Sequence, residues 1–171
     1  MKKTCFVFLL MLGFVLISCQ DNTVKEWQQF YDFTLDDIKG TYHYSNLSSA
    51  FDGLTENDFC HICEDAQVSV SSYLGSASSI EFKVNCQREA FNKAFTGHPV
   101  MSDDSPLLKM TNPTALYPEY ELTAYVYRNV RGDIRLHGNA RRVFYEIVYE
   151  DGVPVHRIKY AINYYFDVIK D

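Results

Sequence analysis

Apolar and polar residues alternate along much of the chain, and a period of two is typical of half-buried β-strands. The alternation is clearest where valine, isoleucine and phenylalanine take every second position, and it extends furthest in the C-terminal third. Aromatic residues make up 15% of the chain, and such side chains pack well on a pleated sheet. Strands are predicted over residues 41–46, 66–73, 80–86, 107–110, 120–130, 134–138, 141–149 and 155–169.

A two-residue turn at Asp151-Gly152 separates the last two predicted strands, and this dipeptide is a strong signal for a tight β-hairpin. The turn sets a register that gathers apolar side chains on one face and places a glutamate opposite an arginine on the other. The predicted pairs are Val148–Val155, Ile147–His156, Glu146–Arg157, Tyr145–Ile158 and Val143–Tyr160.

Three segments have a helical period instead. Thr34 to Gly40 reads as one helical turn, with Thr34 as its N-cap, acidic residues in its first turn and Gly40 as its end. Residues 87–95 carry a one-sided apolar stripe that predicts a second helix. The spacing of aromatic residues over 27–31 fits a further short amphipathic helix.

The N-terminus has the layout of a secretory signal peptide, because Lys2 and Lys3 precede an apolar run over residues 5–18. This run is too short for a helix that crosses about 30 Å of hydrocarbon. It ends in Leu-Ile-Ser-Cys19, which resembles the bacterial lipobox. That resemblance implies cleavage before Cys19 and lipidation of Cys19 by a diacylglycerol and, usually, a further acyl chain such as palmitate.

Two or three acyl chains hold a protein at a membrane without a transmembrane helix. The resemblance therefore implies a lipoprotein of the cell envelope whose partner is the membrane itself, at the outer membrane and on either its periplasmic or its surface side. An ordinary secretory signal with an incidental cysteine, or a short membrane anchor, is the alternative. The predicted organisation is a signal peptide at 1–18, a lipidated tether at 19–33 and a single β-rich domain at 34–171.

The net charge of the chain is −6, and it becomes −8 once the signal peptide and its two lysines are removed. An acidic exported protein is a poor candidate for binding nucleic acid, whose phosphates require clustered positive charge. Nucleic acid is therefore excluded as a predicted partner.

The predicted fold is mainly β, with about eight antiparallel strands and one or two short helices, arranged as a barrel or a two-layer β-sandwich. After its helical turn, Gly40-Thr41-Tyr42 resembles the Gly-x-Trp entry of lipocalin-like (calycin) barrels, with tyrosine in place of tryptophan. The chain is also similar in length and strand order to small bacterial lipoproteins with such barrels. This resemblance favours the barrel and implies a cavity for a small ligand, with its mouth near Tyr42.

Three cysteines remain in the predicted domain: Cys60, Cys63 and Cys86. Export permits disulfides, so one disulfide and one buried thiol are expected, against all three reduced. Cys60–Cys63 and a bridge from either of these to Cys86 both stay open, and Cys86 is the natural buried thiol. A zinc site built from the three cysteines with His61 or His98 lacks a second CxxC pair, so no metal or other cofactor is predicted.

Sequence motifs of hydrolases, metalloproteases and phosphate-binding loops are missing, and the five histidines are scattered, so the protein is predicted not to be an enzyme. Several arginines are close together in the sequence around one turn. They could bind a lipid phosphate or an acidic glycan, or they could simply be solvated. Tyr125 and Tyr127 could form a stacking platform, although half-buried packing on the sheet is the simpler interpretation. The candidate arginines are Arg128, Arg131, Arg135, Arg141 and Arg142.

Two functional hypotheses follow from the sequence. The first is a lipid-anchored, non-enzymatic envelope protein that binds a small apolar or anionic ligand in or on a β-barrel. The second is a protein-interaction module of the cell envelope, such as an inhibitor or an accessory subunit.

Overall fold

The computed structural model describes residues 26–46, 49–102, 105–111 and 118–171. The regular secondary structure of the described residues is almost entirely β-strand, apart from one helical turn, α1 (Leu35–Ile38), and one 3₁₀ turn (Tyr73–Gly75). No helix among them is both long enough and apolar enough to cross a membrane. The strands are β1 (Gln28–Gln29), β2 (Gly40–Tyr44), β3 (Cys60–Ile62), β4 (Gln67–Ser72), β5 (Ile80–Cys86), β6 (Phe91–Gly97), β7 (Val100–Ser102), β8 (Ser105–Thr111), β9 (Tyr120–Arg128), β10 (Ile134–Glu150) and β11 (Val153–Lys170).

The strands form one large sheet in the order β6-β5-β4-β2-β11-β10-β9-β8-β7, with β1 added to β9 and β3 added to β11. Every pairing is antiparallel except the short parallel contact of β3 with β11. The prediction of a mainly β, antiparallel fold is confirmed. The predicted barrel is wrong, because the sheet is not closed by strand pairing between its two ends, and it is one sheet rather than a two-layer sandwich.

The core lies on one face of the sheet, which curls so that strands from its two halves meet. Phe82 of β5 and Phe166 of β11, which belong to strands that are not neighbours in the sheet, have ring centroids 6.3 Å apart. Phe91 of β6 stacks on Tyr164 of β11 at 4.2 Å. Aromatic side chains therefore occupy the concave side at these points, where a calycin barrel would hold its ligand.

Of the three helical predictions, only the one at Thr34 is confirmed. Thr34 forms a capping box with Asp37: the Thr34 N–H donates to the Asp37 carboxylate at 2.7 Å, and the Thr34 hydroxyl accepts from the Asp37 N–H. Residues 87–90 instead form a turn into β6, because positions 91 and 95 lie on the same face of a strand as well as of a helix. Residues 28–29 form β1, so part of the predicted tether lies against β9.

β10 and β11 form a long hairpin around Asp151-Gly152, whose φ values of 51° and 83° suit a tight turn. β10 joins two predicted strands into one continuous strand. Four of the five predicted pairs are confirmed. The fifth is wrong, since Val143 pairs with Ala161 after a bulge that shifts the register between Phe144 and Tyr145.

The two halves of this hairpin have different surroundings. β9 pairs with β10 only as far as Arg142, and β3 pairs with β11 only as far as Asn163. Beyond these points no described strand pairs with the outer edge of either strand. This two-stranded extension, residues 144–160, is called the arm below.

Candidate functional site

The arm exposes apolar side chains that a folded protein normally covers. Such residues scattered singly are ordinary, but a group on one element is typical of an interaction site. The exposed fractions are 57% for Ile147, 74% for Tyr149, 59% for Val153, 53% for Ile158 and 38% for Tyr160.

The outer edge of the arm along β10 offers backbone donors at alternate residues. A two-residue turn makes Glu150 and Val153 a hydrogen-bonded pair, and such pairs then alternate along an antiparallel ladder. The N–H groups of Ile147 and Tyr149 therefore point away from β11. The N–H of Val143 has the same orientation and donates to the Glu119 carbonyl at 2.7 Å, where the next strand begins.

The outer edge along β11 is different, because Pro154 occupies one of its outward positions. Proline has no N–H, and within sheets it is confined largely to such edges. An added strand would lose a hydrogen bond there. The unbroken edge of the arm is therefore that of β10.

A cleft of about 470 Å³ lies at the base of the arm. It combines apolar walls with the cationic side chain of Arg142, whose guanidinium carbon is 4.6 Å from the centroid of the Phe144 ring. The residues that line it are Glu119, Arg142, Val143, Phe144, Tyr145, Ile147 and His156.

The arginines that the sequence groups together are separated in the structure. Arg128 and Arg131 lie at the turn between β9 and β10, and Arg128 packs over the Phe30 ring at 5.1 Å. Arg142 lies eight residues along β10 from Ile134, the position paired with Arg128, which is about 26 Å along a strand. Arg141 pairs with Glu121 at 3.0 Å. These arginines therefore do not form a single anion-binding site.

Arg135 belongs to a buried charge network. Its Nε donates to Oδ1 of Asp167 at 2.6 Å, and Asp167 is fully buried. Nδ1 of His137 lies 3.5 Å from the same oxygen, beyond good hydrogen-bond distance, while the Ser45 hydroxyl donates to the other oxygen. Burial opposes the charged carboxylate, but these contacts outweigh it and hold the pKa of Asp167 below its usual value. Arg135 therefore has an internal partner.

The predicted ligand-binding tyrosines occupy three different environments. Tyr42 is 2% exposed and its hydroxyl donates to the Ile38 carbonyl, so the ring is part of the core and burial raises the pKa of its hydroxyl. Tyr127 is half-buried beneath the guanidinium of Arg135, at 5.3 Å from its ring centroid. Tyr125 is exposed on β9. Of the three, Tyr125 alone belongs to the exposed residues.

The cysteines pair in one of the ways that the sequence left open. Cys63 and Cys86 form a disulfide with Cα atoms 5.4 Å apart, and Cys60 is the free thiol. The expectation that Cys86 is the buried free thiol is wrong. Burial and the charge of Glu56 raise the pKa of the Cys60 thiol. A zinc site that needs all three thiolates is excluded in this oxidised form.

The predicted lipidation site, Cys19, lies outside the described residues, so its acylation stays a prediction. Sequence reasoning predicted the β10–β11 hairpin but did not single out its outer half as a site. The available signal was length: the last predicted strand, residues 155–169, is longer than every other predicted strand. Comparison with known proteins found no matching protein family, no similar curated protein and no similar solved structure.

Proposed function

We propose that this chain is a lipid-anchored protein of the cell envelope that binds a protein partner by accepting an extended strand along the β10 edge of its arm. This is the second of the two hypotheses drawn from the sequence. The observation that carries it is the arm itself, a β-ribbon with exposed apolar side chains that no described strand flanks.

The arm supports a docking role because an apolar strand edge without a neighbouring strand is a hazard for a free protein. Such edges promote aggregation, and proteins usually shorten, charge or cover them. Strand addition to a sheet edge is a common mode of recognition, in which backbone hydrogen bonds supply affinity and alternate side chains supply specificity. The β10 edge continues the line of β9 beyond Arg142, so an added strand would extend the existing sheet.

The side chains along this edge define the chemistry of the partner. Glu146 and Glu150 are exposed on one face of β10, where Glu150 pairs with Arg157 of β11 and Glu146 carries the remaining negative charge. Ile147 and Tyr149 are exposed on the other face. A strand with basic residues on one face and apolar residues on the other would match both faces by cross-strand pairing. The partner is therefore an extended polypeptide segment with alternating basic and apolar residues.

The test uses the purified full chain in detergent and a fluorescent peptide of alternating lysine and valine as the probe. Ile147→Pro removes an outward N–H of β10 without removing a bond to β11, and we expect it to weaken peptide binding at least tenfold, measured by anisotropy. Ile147→Val keeps that N–H and should bind within about twofold of the unchanged protein.

Ile158→Pro is the matched control on the opposite edge, since its N–H also points outward but from β11. It should leave peptide affinity unchanged. Equal loss in both proline variants, or no loss in Ile147→Pro, would contradict strand addition at β10. The thermal midpoint of each variant shows whether the domain remains folded.

The cleft at the base of the arm supports a second candidate, the binding of a small anionic ligand. Arg142 supplies a positive charge beside apolar walls, which is how small-molecule sites usually fix an anion. Inorganic phosphate is the simplest probe, and Arg142→Gln should abolish any saturable binding seen by calorimetry. Binding that persists in Arg142→Gln would eliminate this candidate.

A further inference from the structure

Away from the arm, three potential metal ligands converge beside the disulfide. They are the carboxylates of Glu56 and Glu89 and the imidazole of His61, whose ligand atoms all lie within 4.8 Å of one another. Among the described residues this is the one such group. Nδ1 of His61 is 3.0 Å from Oε2 of Glu89, so two of the three are already in contact.

The histidine is positioned by two contacts with Tyr164 of the neighbouring strand β11. His61 is in the middle of β3, where it pairs with Tyr164 of β11. Its ring also stacks on the Tyr164 ring, with centroids 5.3 Å apart and planes 24° apart. Because Tyr164 is itself buried, the stacking restricts the orientation of the imidazole.

The first glutamate is placed beside His61 by local pairing. Asn57 and Cys60 form an isolated β-bridge, with N–H···O distances of 2.9 and 3.1 Å in the two directions. This bridge folds the chain back on itself just before β3. Glu56, which precedes the bridge, therefore lies next to His61 although it is exposed and free to adjust.

The second glutamate comes from a different loop, and the disulfide ties that loop to β3. Cys63 follows His61 by two residues, and Cys86 precedes Glu89 by three. A second tie is the Arg88 N–H, which donates to the Asp65 carboxylate at 2.6 Å. The disulfide therefore links the segments that carry the two ligands distant in sequence, His61 and Glu89.

Negatively charged groups predominate in this cluster. Two carboxylates face one histidine, and the adjacent Arg88 directs its guanidinium to Glu64 at 3.2 Å. The side chains of His61 and Glu89 are 23% and 19% exposed, so water screens them only partly. A divalent cation would offset the repulsion between the two carboxylates.

We propose that Glu56, His61 and Glu89 form a site for a divalent transition-metal ion, with Zn²⁺ as the best match. Imidazole nitrogen and carboxylate oxygen are both regular zinc ligands at about 2.0–2.2 Å, and a zinc ion with three protein ligands keeps a fourth position for water. The calcium and magnesium ions prefer oxygen ligands throughout, which makes the histidine a reason to favour zinc. This site is independent of the arm and of the function proposed for it.

The experiment titrates Zn²⁺ into the purified full chain in detergent, oxidised and stripped with chelator, and measures heat. We expect one ion per chain, and at least tenfold weaker binding in each of Glu56→Gln, His61→Gln and Glu89→Gln. Glu56→Gln is the decisive variant, because Glu56 is exposed and its substitution does not threaten folding.

Two controls distinguish this site from binding at an isolated histidine and from binding at the free thiol. His43 forms a two-residue pair with Asp171 at 2.5 Å, without a third ligand among the described residues, so His43→Gln should bind Zn²⁺ like the unchanged chain. Cys60→Ser should also bind normally. Absence of binding, binding that survives Glu56→Gln and Glu89→Gln, or binding that depends on Cys60 instead, would each overturn the proposal.

Discussion

The two halves of the β10–β11 hairpin differ in their neighbours rather than in their residue types. In the inner half, Leu136, Ala140 and Phe166 are fully buried, because β9 lies on one side and β2 and β3 lie on the other. In the outer half, residues with the same preference for burial are exposed. The same pair of strands is therefore core at one end and free surface at the other.

This difference separates stability from interaction. Burial of a large apolar side chain contributes about 1.5–3 kcal/mol, and only the inner half obtains that contribution within the chain. Apolar residues in the outer half gain burial only when another surface covers them. We therefore expect substitutions in the inner half to unfold the protein and substitutions in the arm to change binding alone.

Phe166→Ala should have the largest effect on stability. Phe166 is fully buried and meets Phe82 across the core, so truncation should lower the free energy of unfolding by about 3–5 kcal/mol. Urea titration of the full chain, followed by tryptophan fluorescence, measures it. A loss below about 1 kcal/mol would mean that the core does not close around this ring.

Gly138→Ala should destabilise the inner half by about 3 kcal/mol, because the sheet has no space for a methyl group there. A Cβ at this position would lie 2.1 Å from the Thr123 carbonyl oxygen and 2.7 Å from Cα of Ala124. Gly53→Ala is the control: no atom lies within 4 Å of its Cβ, and only its φ of +84° opposes the substitution, at about 1 kcal/mol. Equal costs at the two glycines would contradict the close approach of β9 and β10.

Asp167→Asn should cost about 2 kcal/mol near neutral pH, less than for a fully buried pair because Arg135 keeps some access to water. The pKa of Asp167 is lower in the folded state than in the unfolded chain, so its contribution is complete above the unfolded value near 3.9. That contribution is lost as the pH falls through the folded value. Unfolding midpoints measured across acidic pH should fall steeply for the unchanged chain and less steeply for Asp167→Asn.

Tyr149→Ala should have the smallest effect, within about 0.5 kcal/mol, because this side chain is 74% exposed on the arm. The same urea titration measures it beside Phe166→Ala. Strong destabilisation by Tyr149→Ala would show that the arm is packed in the free protein. The distinction between the two halves of the hairpin would then be lost.

Local pattern predicted most of the strands well. β5 has the predicted bounds and alternation, and the Asp151-Gly152 turn fixes the register of the hairpin near it. The register shift between Phe144 and Tyr145, which leaves Lys159 of β11 without an opposite residue, could not be predicted, because a turn fixes the register only as far as the first bulge. The helical prediction for Phe91 and Phe95 is wrong because two residues four apart share a face both in a helix and in a strand.

The candidate sites were harder to predict, because they depend on which strands stop pairing and where. Arg135 looked like part of a surface cluster, but its partner Asp167 is 32 residues away in sequence. The cluster of Glu56, His61 and Glu89 lies beside the disulfide between Cys63 and Cys86, and spacing alone could not choose that bridge over Cys60–Cys63. The sequence predicted the hairpin that contains the arm, but it did not predict that the arm is exposed.

The sequence by itself determined the β class, the helical turn at Thr34 and the tight turn at Asp151-Gly152, since each depends on residues close together in the chain. Lipidation at Cys19 stays a prediction of the same local kind. Tertiary structure decided that the sheet stays open, that Tyr42 is core, and that no described strand flanks one end of the longest hairpin. Those outcomes depend on pairing between strands that are distant in sequence. The residues of one strand do not indicate whether another strand pairs with its edge.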